Sequence, residues 1–252
     1  HVGVPGVVST PVLGTTGSNI RTNEQGYLDP APTGINARFA WTKRGGLGEN
    51  VKFIDIEQGW HLNHEDIEDA RVRLLWGKEN PIRKQHGCYV MGVILMQDND
   101  IGGIGIAPKV KANVISQISE TGHHSIHNAI MHAIAVLDEG DVLLLETQVK
   151  DRRTGDKFWP AEIKPIIFHS IELAVACGII VVEAAGNGRS GEEPQGNDLD
   201  DFAIWYGKNV LGRGQEGFRD SGAILVAAVS KNEDHGRIQS SNFGERIDCV
   251  AW

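Results

Sequence analysis

The chain alternates short, continuously apolar runs with longer stretches of helical periodicity, and this alternation restricts the folds open to it. Five runs are apolar and rich in β-branched residues: 51–56, 111–118, 141–146, 178–185 and 223–229. Continuous apolarity is typical of strands covered on both faces, as in parallel sheets. Between these runs, Ile126, Ile130 and Ile134 share one helix face. The repetition predicts an α/β fold with a mostly parallel central sheet flanked by helices.

The positions of proline, glycine and turn-rich segments indicate one main domain. Pro165 falls where a helix tolerates it, in the first turn, and Gly178 ends the same helix. The sequence before residue 45 is turn-rich and weakly periodic, with one short helix expected near residues 37–43. We therefore predict an N-terminal arm, 1–44, to which no role is assigned, and a domain covering 45–252.

Charge and cysteine content exclude several classes of protein. The net charge of −9 argues against binding to nucleic acid or to an anionic membrane surface. No apolar stretch approaches the ~20 residues needed to span a bilayer. Three cysteines (Cys88, Cys177 and Cys249) are too few for a disulfide framework. We expect neither a nucleic-acid partner nor a membrane partner.

Several polar residues stand at predicted carboxyl ends of strands, the edge where parallel sheets collect their chemistry. Asp55 closes the first strand, Asn187 follows the fourth, and His86 in "KQHGCYVMGVI" opens a helix. A hydrolase with a hydroxyl nucleophile needs a base, an acid that orients the base, and a donor for the oxyanion. We expect Asp55 to accept a hydrogen bond from His86 Nδ1–H, and the Asn187 amide to face the oxyanion.

Four segments carry a resemblance to a known family. "VKFIDIEQGWHLNHEDI" resembles the aspartate motif of the subtilisin-like serine peptidases, "HGCYVMGVILMQDNDIGGIGIAP" their histidine motif, and "IIVVEAAGNG" their oxyanion asparagine motif. "AILVAAVSKNEDHGRIQSSNFGERIDCVAW" is similar to the segment before their nucleophile. The resemblance implies a subtilisin-like three-layer fold, peptide or protein substrates and an extracellular setting. It assigns Asp55 as triad acid, His86 as base and Asn187 as oxyanion donor.

The family's nucleophilic serine has no counterpart in the sequence. It belongs after the final strand, whereas Ser18 precedes the aspartate motif and Ser221 precedes a strand. We expect the serine to lie beyond residue 252, on a C-terminal segment or a second chain. The alternative is a pseudoprotease or a fragment that binds peptides without cutting them.

The resemblance also implies a substrate cleft. Its predicted residues are Glu146, Thr147, Gln148, Ala184, Ala185 and Gly186. The carboxylate of Glu146 would favour a basic substrate side chain, unless it is turned away or paired with Arg152 or Arg153.

A structural calcium ion is a further implication of the resemblance. Its predicted ligands are Asp66, Gln97, Asn99, Ile101 and Gly103. Oxygen ligands on loops suit calcium, but a turn stabilised by its own side chains explains the same residues.

Three other readings stay open. Related acid-active peptidases use a glutamate as base, and Glu57 follows Asp55 by two residues, although the His-Gly motif argues against that route. Cys88 could be a thiol nucleophile, but adjacent helical residues point in different directions, which favours a buried structural cysteine. The spacing of His123 and His127 fits zinc, but a solvated helix entrance explains it as well.

Overall fold

A computed structural model describes residues 21–189, 195–205, 208–232 and 234–252. Its strands, β1 to β12 in chain order, are Lys52–Glu57, Leu74–Trp76, Lys111–Ser116, Val142–Leu145, Gln148–Lys150, Lys157–Pro160, Ile180–Ala184, Gly188–Arg189, Ala203–Trp205, Lys208–Asn209, Ile224–Ala228 and Cys249–Ala251. Its α-helices, α1 to α4, are Ala37–Trp41, Lys84–Leu95, Ile126–Ile134 and Pro165–Ala176. No helix in these ranges is both long and apolar enough to cross a lipid bilayer.

Seven strands form the central sheet in the order β12-β11-β7-β4-β1-β3-β2. Every neighbouring pair runs parallel, so the carboxyl ends of all seven strands lie along one edge. The predicted mostly parallel sheet is thus confirmed. A small antiparallel sheet, β5-β6-β8, and the antiparallel pair β9-β10 lie outside it.

The five predicted strands coincide with β1, β3, β4, β7 and β11. The edge strand β2 was not predicted, because three residues are too few to give an apolar pattern, whereas the family resemblance implied a final strand where β12 lies. The helix after the histidine begins at Lys84, so His86 lies within its first turn and not at its start. Pro165 occupies the first turn of α4 and Gly178 follows its end at φ +78°, as predicted. The domain boundary at residue 45 stays a prediction.

Helices α3 and α4 cover one face of the sheet. Ile54 and Ile56 of β1, and Leu143 and Leu145 of β4, point to this side and are at most 2% exposed. Apolar residues of α3 and α4, such as Ile130, join the same cluster. This face of the sheet is dry and well packed.

On the opposite face, α2 covers only part of the sheet. Met91 and Leu95 pack on Phe53 of β1 and Val114 of β3. Val142 and Leu144 of β4 still pack against this cluster. Beyond α2, the same face of β7 and β11 carries an apolar row that we call the open face: Ile180, Val182, Ile224 and Val226. Ile180 and Ile224 are 45% and 40% exposed, whereas their neighbours on the covered face, Val181 and Leu225, are 1% and 0% exposed.

Helix α2 approaches the chain after β1 very closely at Gly87. A β-carbon at this position would lie 2.4 Å from Gly59 O and 2.6 Å from Cδ1 of Trp60. Trp60 is itself 1% exposed, so its indole has little room to move. The absence of a side chain at residue 87 therefore sets the distance of the first turn of α2 from β1.

A buried ion cluster joins the 3-10 turn Ala161–Ile163 to the segments that flank β7 and β11. Arg246 is 0% exposed and donates to Glu162 Oε1 from Nε at 2.8 Å. Glu183 of β7 accepts from the Glu162 backbone N–H at 3.0 Å, while its Oε2 is buried without a partner. Burial and the neighbouring Glu162 carboxylate raise the pKa of Glu183 to about 8.

Two glycines of α2 give opposite expectations for alanine substitution. We expect Gly87→Ala to lower the free energy of unfolding by about 1–3 kcal/mol, because its β-carbon overlaps backbone and indole atoms. At Gly92 the added carbon meets Met96 Cγ at 3.7 Å, an ordinary contact, so Gly92→Ala should raise it by up to about 1 kcal/mol. Urea unfolding measures both variants. Equal effects at the two positions would contradict the close approach at Gly87.

The buried Glu183 should make stability depend on pH. In the folded chain its carboxyl group keeps its proton up to about pH 8, whereas the unfolded chain releases it near 4.5. The unfolded state therefore binds fewer protons in this window, and stability falls as pH rises through it. Glu183→Gln has no such proton to release. The melting temperature of the variant minus that of the parent should therefore increase steadily as pH rises from about 4.5 to about 8. The exposed Glu24→Gln variant is the control, and a difference independent of pH would refute the argument.

Candidate active site

The carboxyl edge of the sheet brings together residues that are distant in sequence. Glu57 ends β1, and Glu146 comes directly after β4. Because Ile56 pairs with Leu145 across these strands, Glu57 and Glu146 follow the last paired residues on neighbouring strands. Asn187 lies in the turn after β7, and His86 reaches the edge from α2.

The acid that contacts His86 is Glu57, which corrects the prediction made for Asp55. His86 Nδ1 lies 2.5 Å from Glu57 Oε2, within hydrogen-bond distance. The glutamate side chain is 7% exposed and the imidazole 62% exposed, so the buried acid anchors a ring that faces solvent. This hydrogen bond raises the pKa of His86, although burial acts in the opposite direction.

Asp55 lies one step deeper in the same strand face. Its Oδ2 accepts a hydrogen bond from the Trp60 indole N–H at 2.6 Å, and its Oδ1 is buried without a partner. Complete burial holds the pKa of Asp55 well above its usual range. A buried carboxyl group with one donor is more stable as the neutral acid, because an ionised group would lose its hydration without compensation. Asp55 therefore supports Trp60 and does not bond His86.

The alternation of side chains along a strand is the sequence signal that could have identified Glu57. Side chains alternate between faces, so Asp55 and Glu57 point to the same side of β1. The apolar run was predicted to end at Asp55 or Ile56, whereas the strand extends to Glu57. That extension puts the glutamate at the edge and leaves the aspartate inside.

Glu146 contributes a second carboxyl group near the imidazole. Burial raises its pKa, the charge of His86 lowers it, and the charge of Glu57 raises it. Its suggested partner Arg153 instead contacts Asp151, with Nε 2.8 Å from Oδ1. Glu146 thus interacts electrostatically with the base, a role that the sequence did not suggest.

The predicted cleft residues differ in which of their groups can face a substrate. Thr147 is 3% exposed and its hydroxyl donates to the side chain of Gln117, so its side chain is turned inward. Ala185 is 2% exposed, and its carbonyl accepts from Asn242 Nδ2 at 2.7 Å. Ala184 and Gly186 are half-buried, and Gly186 has φ +88° in the turn that leads to Asn187.

Asn187 is exposed, and its backbone N–H donates to Gln148 Oε1 at 2.8 Å. The turn before it is braced by Asn242, which is 0% exposed and also donates to Phe158 O. No role was predicted for Asn242, which lies in the segment that resembles the one before the family's nucleophile. A polar side chain in a tight turn was the available signal.

The candidate nucleophiles within the described ranges do not reach the base. The ring of His86 has no hydroxyl partner there, and Ser221 is buried and donates to Glu162 Oε2 at 2.5 Å. Burial raises the pKa of Cys88, which opposes thiolate formation. Ser18 lies outside the described residues.

The predicted calcium ligands meet only in part. Asp66 lies against Gly102, and its Oδ1 is buried without a partner. Asn99 Oδ1 accepts from Ile101 N at 3.2 Å, and the Gln97 side chain donates to Leu95 O at 2.6 Å. The loop is therefore stabilised by its own side chains, while the orphan oxygen of Asp66 fits a cation bound by oxygen ligands.

Gln25 was not among the predicted residues of this loop. Its Oε1 accepts from Ile104 N at 2.8 Å beside Gly103. Across the described residues, no three His, Cys, Asp or Glu side chains are grouped to hold a metal, and this includes the histidines at 123 and 127.

Sequence comparison finds relatives along most of the chain. Subtilisin NAT of Bacillus subtilis subsp. natto is 29% identical over 233 residues, which are 89% of this chain and 53% of the relative. The major intracellular serine protease of Bacillus subtilis is 26% identical over 184 residues, 68% of this chain and 54% of that protein. The chain spans about half the length of the curated relatives it matches. No family model matches it.

Solved structures share the fold at lower identity. A protease of Pseudoalteromonas arctica has a TM-score of 0.64 and 19% identity, covering 94% of this chain and 72% of that one. The Aeromonas sobria serine protease, in complex with a chaperone, has a TM-score of 0.63 and 18% identity, covering 93% and 43%. The sequence matches and the common fold make this chain a homologue of the subtilisins and support its membership of the subtilase family.

Proposed function

We propose that the chain is the major part of a subtilisin-like serine endopeptidase. In this proposal His86 is the base, Glu57 the acid that orients it, and the serine comes from residues beyond Trp252. The hydrogen bond of His86 Nδ1 to Glu57 carries the proposal, because it fixes the ring as a general base requires. The serine-protease relatives support a peptidase function.

The first chemical step follows from the tautomer of His86. With the proton on Nδ1 donated to Glu57, the lone pair of the neutral ring is on Nε2. Nε2 takes the serine proton as the serine oxygen attacks the peptide carbonyl carbon. The imidazolium so formed is stabilised by Glu57 and, through space, by Glu146.

The remaining steps return the proton. His86 gives it to the amine nitrogen as the carbon–nitrogen bond breaks, leaving an acyl-serine. A water molecule then takes the place of the amine, loses a proton to the same ring and attacks the acyl carbon. His86 returns this proton to the serine oxygen as the bond between that oxygen and the acyl carbon breaks, which releases the carboxylic acid. The Asn187 amide is the proposed donor to the oxyanion in both halves of the reaction.

The open face supports a further segment beside the described chain. Parallel sheets are normally covered on both faces, and here, within the described residues, α2 leaves β7 and β11 partly uncovered on one side. The chain leaves β12 at the carboxyl edge, because β12 is parallel to β11. An apolar helix following this point would begin at the same edge of the sheet as His86, where a serine is needed, and its apolar side would cover the open face.

The binding-module reading keeps one observation in its favour. Within the described ranges no hydroxyl group contacts His86. A protein of this kind would hold a peptide at the same edge without forming an acyl intermediate.

We also propose that Asp66 and the 97–103 loop hold a calcium ion, which would stabilise the loop without entering the chemistry. The unpartnered Oδ1 of Asp66 supports this, and the carbonyls of Gln97, Ile101 and Gly103 remain the proposed further ligands with Asn99. Peptides or proteins are the proposed substrates. An extracellular setting stays a prediction, since one relative is named an intracellular protease.

Substitutions in β1 separate Glu57 from Asp55. The pKa of His86 is raised by Glu57, and the base works only when neutral, so kcat/KM should rise with pH through a limb above 6.5. Glu57→Gln should move this limb towards lower pH and reduce kcat by up to about 10⁴. Asp55→Asn should leave the position of this limb unchanged and alter kcat by no more than about threefold, since a neutral acid and an amide both accept from Trp60. The reverse pattern would restore Asp55 as the triad acid.

A serine-directed fluorophosphonate tests the nucleophile. In the complete protein we expect one serine outside residues 1–252 to be labelled, because only a hydroxyl activated by His86 reacts quickly. His86→Ala should abolish both labelling and peptide cleavage, while His169→Ala, a change on the exposed side of α4, should preserve them. Intact mass and a peptide map locate the label. A protein that folds and binds peptides but takes no label would support the binding module.

A further inference from the structure

The segments that follow β4 and β7 form the walls of a crevice beside the proposed base, and β6, which pairs with both β5 and β8, forms its floor. The two strands are paired up to Leu145 and Glu183. Beyond that point β4 continues through Glu146 into β5, while β7 turns at Gly186 towards Asn187. In open parallel sheets, ligands bind outside the carboxyl ends of the strands.

Gln148 crosses this crevice with its side chain. It belongs to β5, on one wall, and its Oε1 accepts from the backbone N–H of Asn187 on the other wall at 2.8 Å. The interaction joins residues 39 positions apart in the chain. The side chain of Gln148 thus spans the gap and binds the backbone of Asn187, the residue whose side-chain amide is the proposed oxyanion donor.

The space beside the Gln148 side chain, around Gly186, is also occupied. A β-carbon built on Gly186 would lie 3.5 Å from Gln148 Oε1, 3.0 Å from Asn242 Nδ2 and 3.3 Å from the carbonyl carbon of Trp159. Asn242 cannot easily move, because it is fully buried and bonds Ala185 and Phe158. The crevice therefore has a rigid floor, and Gln148 takes up the room above it.

We propose that Gln148 closes this crevice and restricts the substrate residue that carries the cleaved carbonyl to a small, uncharged side chain. The inference rests on the proposed peptidase function. A substrate whose carbonyl oxygen points to the Asn187 amide places that residue's side chain at the crevice mouth. A large side chain must displace Gln148, which breaks its bond to Asn187 and loosens the turn that presents the donor. A large substrate side chain therefore weakens both the binding of the substrate and the stabilisation of the oxyanion.

Peptide anilides that differ only in the residue before the cleaved bond test the inference on the complete protein. We expect kcat/KM for alanine to exceed that for phenylalanine or lysine by at least about tenfold. Gln148→Ala opens the crevice and should reduce this ratio by at least about tenfold. Gln148→Met keeps the volume but removes the acceptor, so it should preserve the preference while lowering kcat for every substrate. Gln215→Ala, remote from the crevice, is the control and should match the parent.

Two results would overturn the inference. One is a parent enzyme that cleaves after phenylalanine or lysine as fast as after alanine. The other is an unchanged ratio in Gln148→Ala. Failure of the proposed function has a different signature: no anilide is cleaved, or cleavage persists in His86→Ala, and the inference then fails with it.

Discussion

The contact of His86 with Glu57 links β1, an inner strand of the sheet, to the helix α2 that covers it, and the geometry of the edge depends on this link. The hydrogen bond forms only while both elements keep their positions, since such bonds weaken steeply with poor geometry. Glu57 is fixed because β1 is paired on both sides, to β3 and β4. His86 is fixed only if the first turn of α2 keeps its distance, and that distance is set by Gly87 against Trp60. The buried Asp55 completes the arrangement by holding the indole from below.

How much of this the sequence predicts depends on the length and regularity of each element. The five inner strands and helices α3 and α4 have clear apolar periods, so their places follow from the sequence. The edge strands β2 and β12 have three residues each, and no period can be read from three residues. At the site, the sequence predicts His86 and Asn187 at the carboxyl edge, but it names Asp55 as the partner of His86, because an aspartate at a strand end is the family's acid. The strand extends to Glu57, and this residue makes the contact with His86.

The two faces of the sheet differ because only one of them is fully covered. On the side of α3 and α4, the inward residues of β4, β7 and β11 are almost completely buried. On the other side, within the described residues, α2 packs against β4 but stops short of β7 and β11, and the isoleucines at 180 and 224 are accessible to solvent. Burial of an aliphatic side chain is worth roughly 1.5–3 kcal/mol, so an uncovered row of them is a substantial loss. The same missing layer would also bring a nucleophile to the edge. Stability and catalysis therefore make the same demand on the segment that we propose.

The charges around His86 bear on which substrates the edge can accept. Three carboxyl groups, of Asp55, Glu57 and Glu146, lie within electrostatic reach of one imidazole. Burial holds Asp55 neutral, and Glu57 is occupied by its hydrogen bond to the ring. Burial also raises the pKa of Glu146, so its charged form is disfavoured and attracts a basic substrate side chain less than an exposed carboxylate would. The crevice itself is crossed by the uncharged amide of Gln148, which presents bulk and no charge. Both observations favour a small neutral residue over the basic one that Glu146 alone suggests.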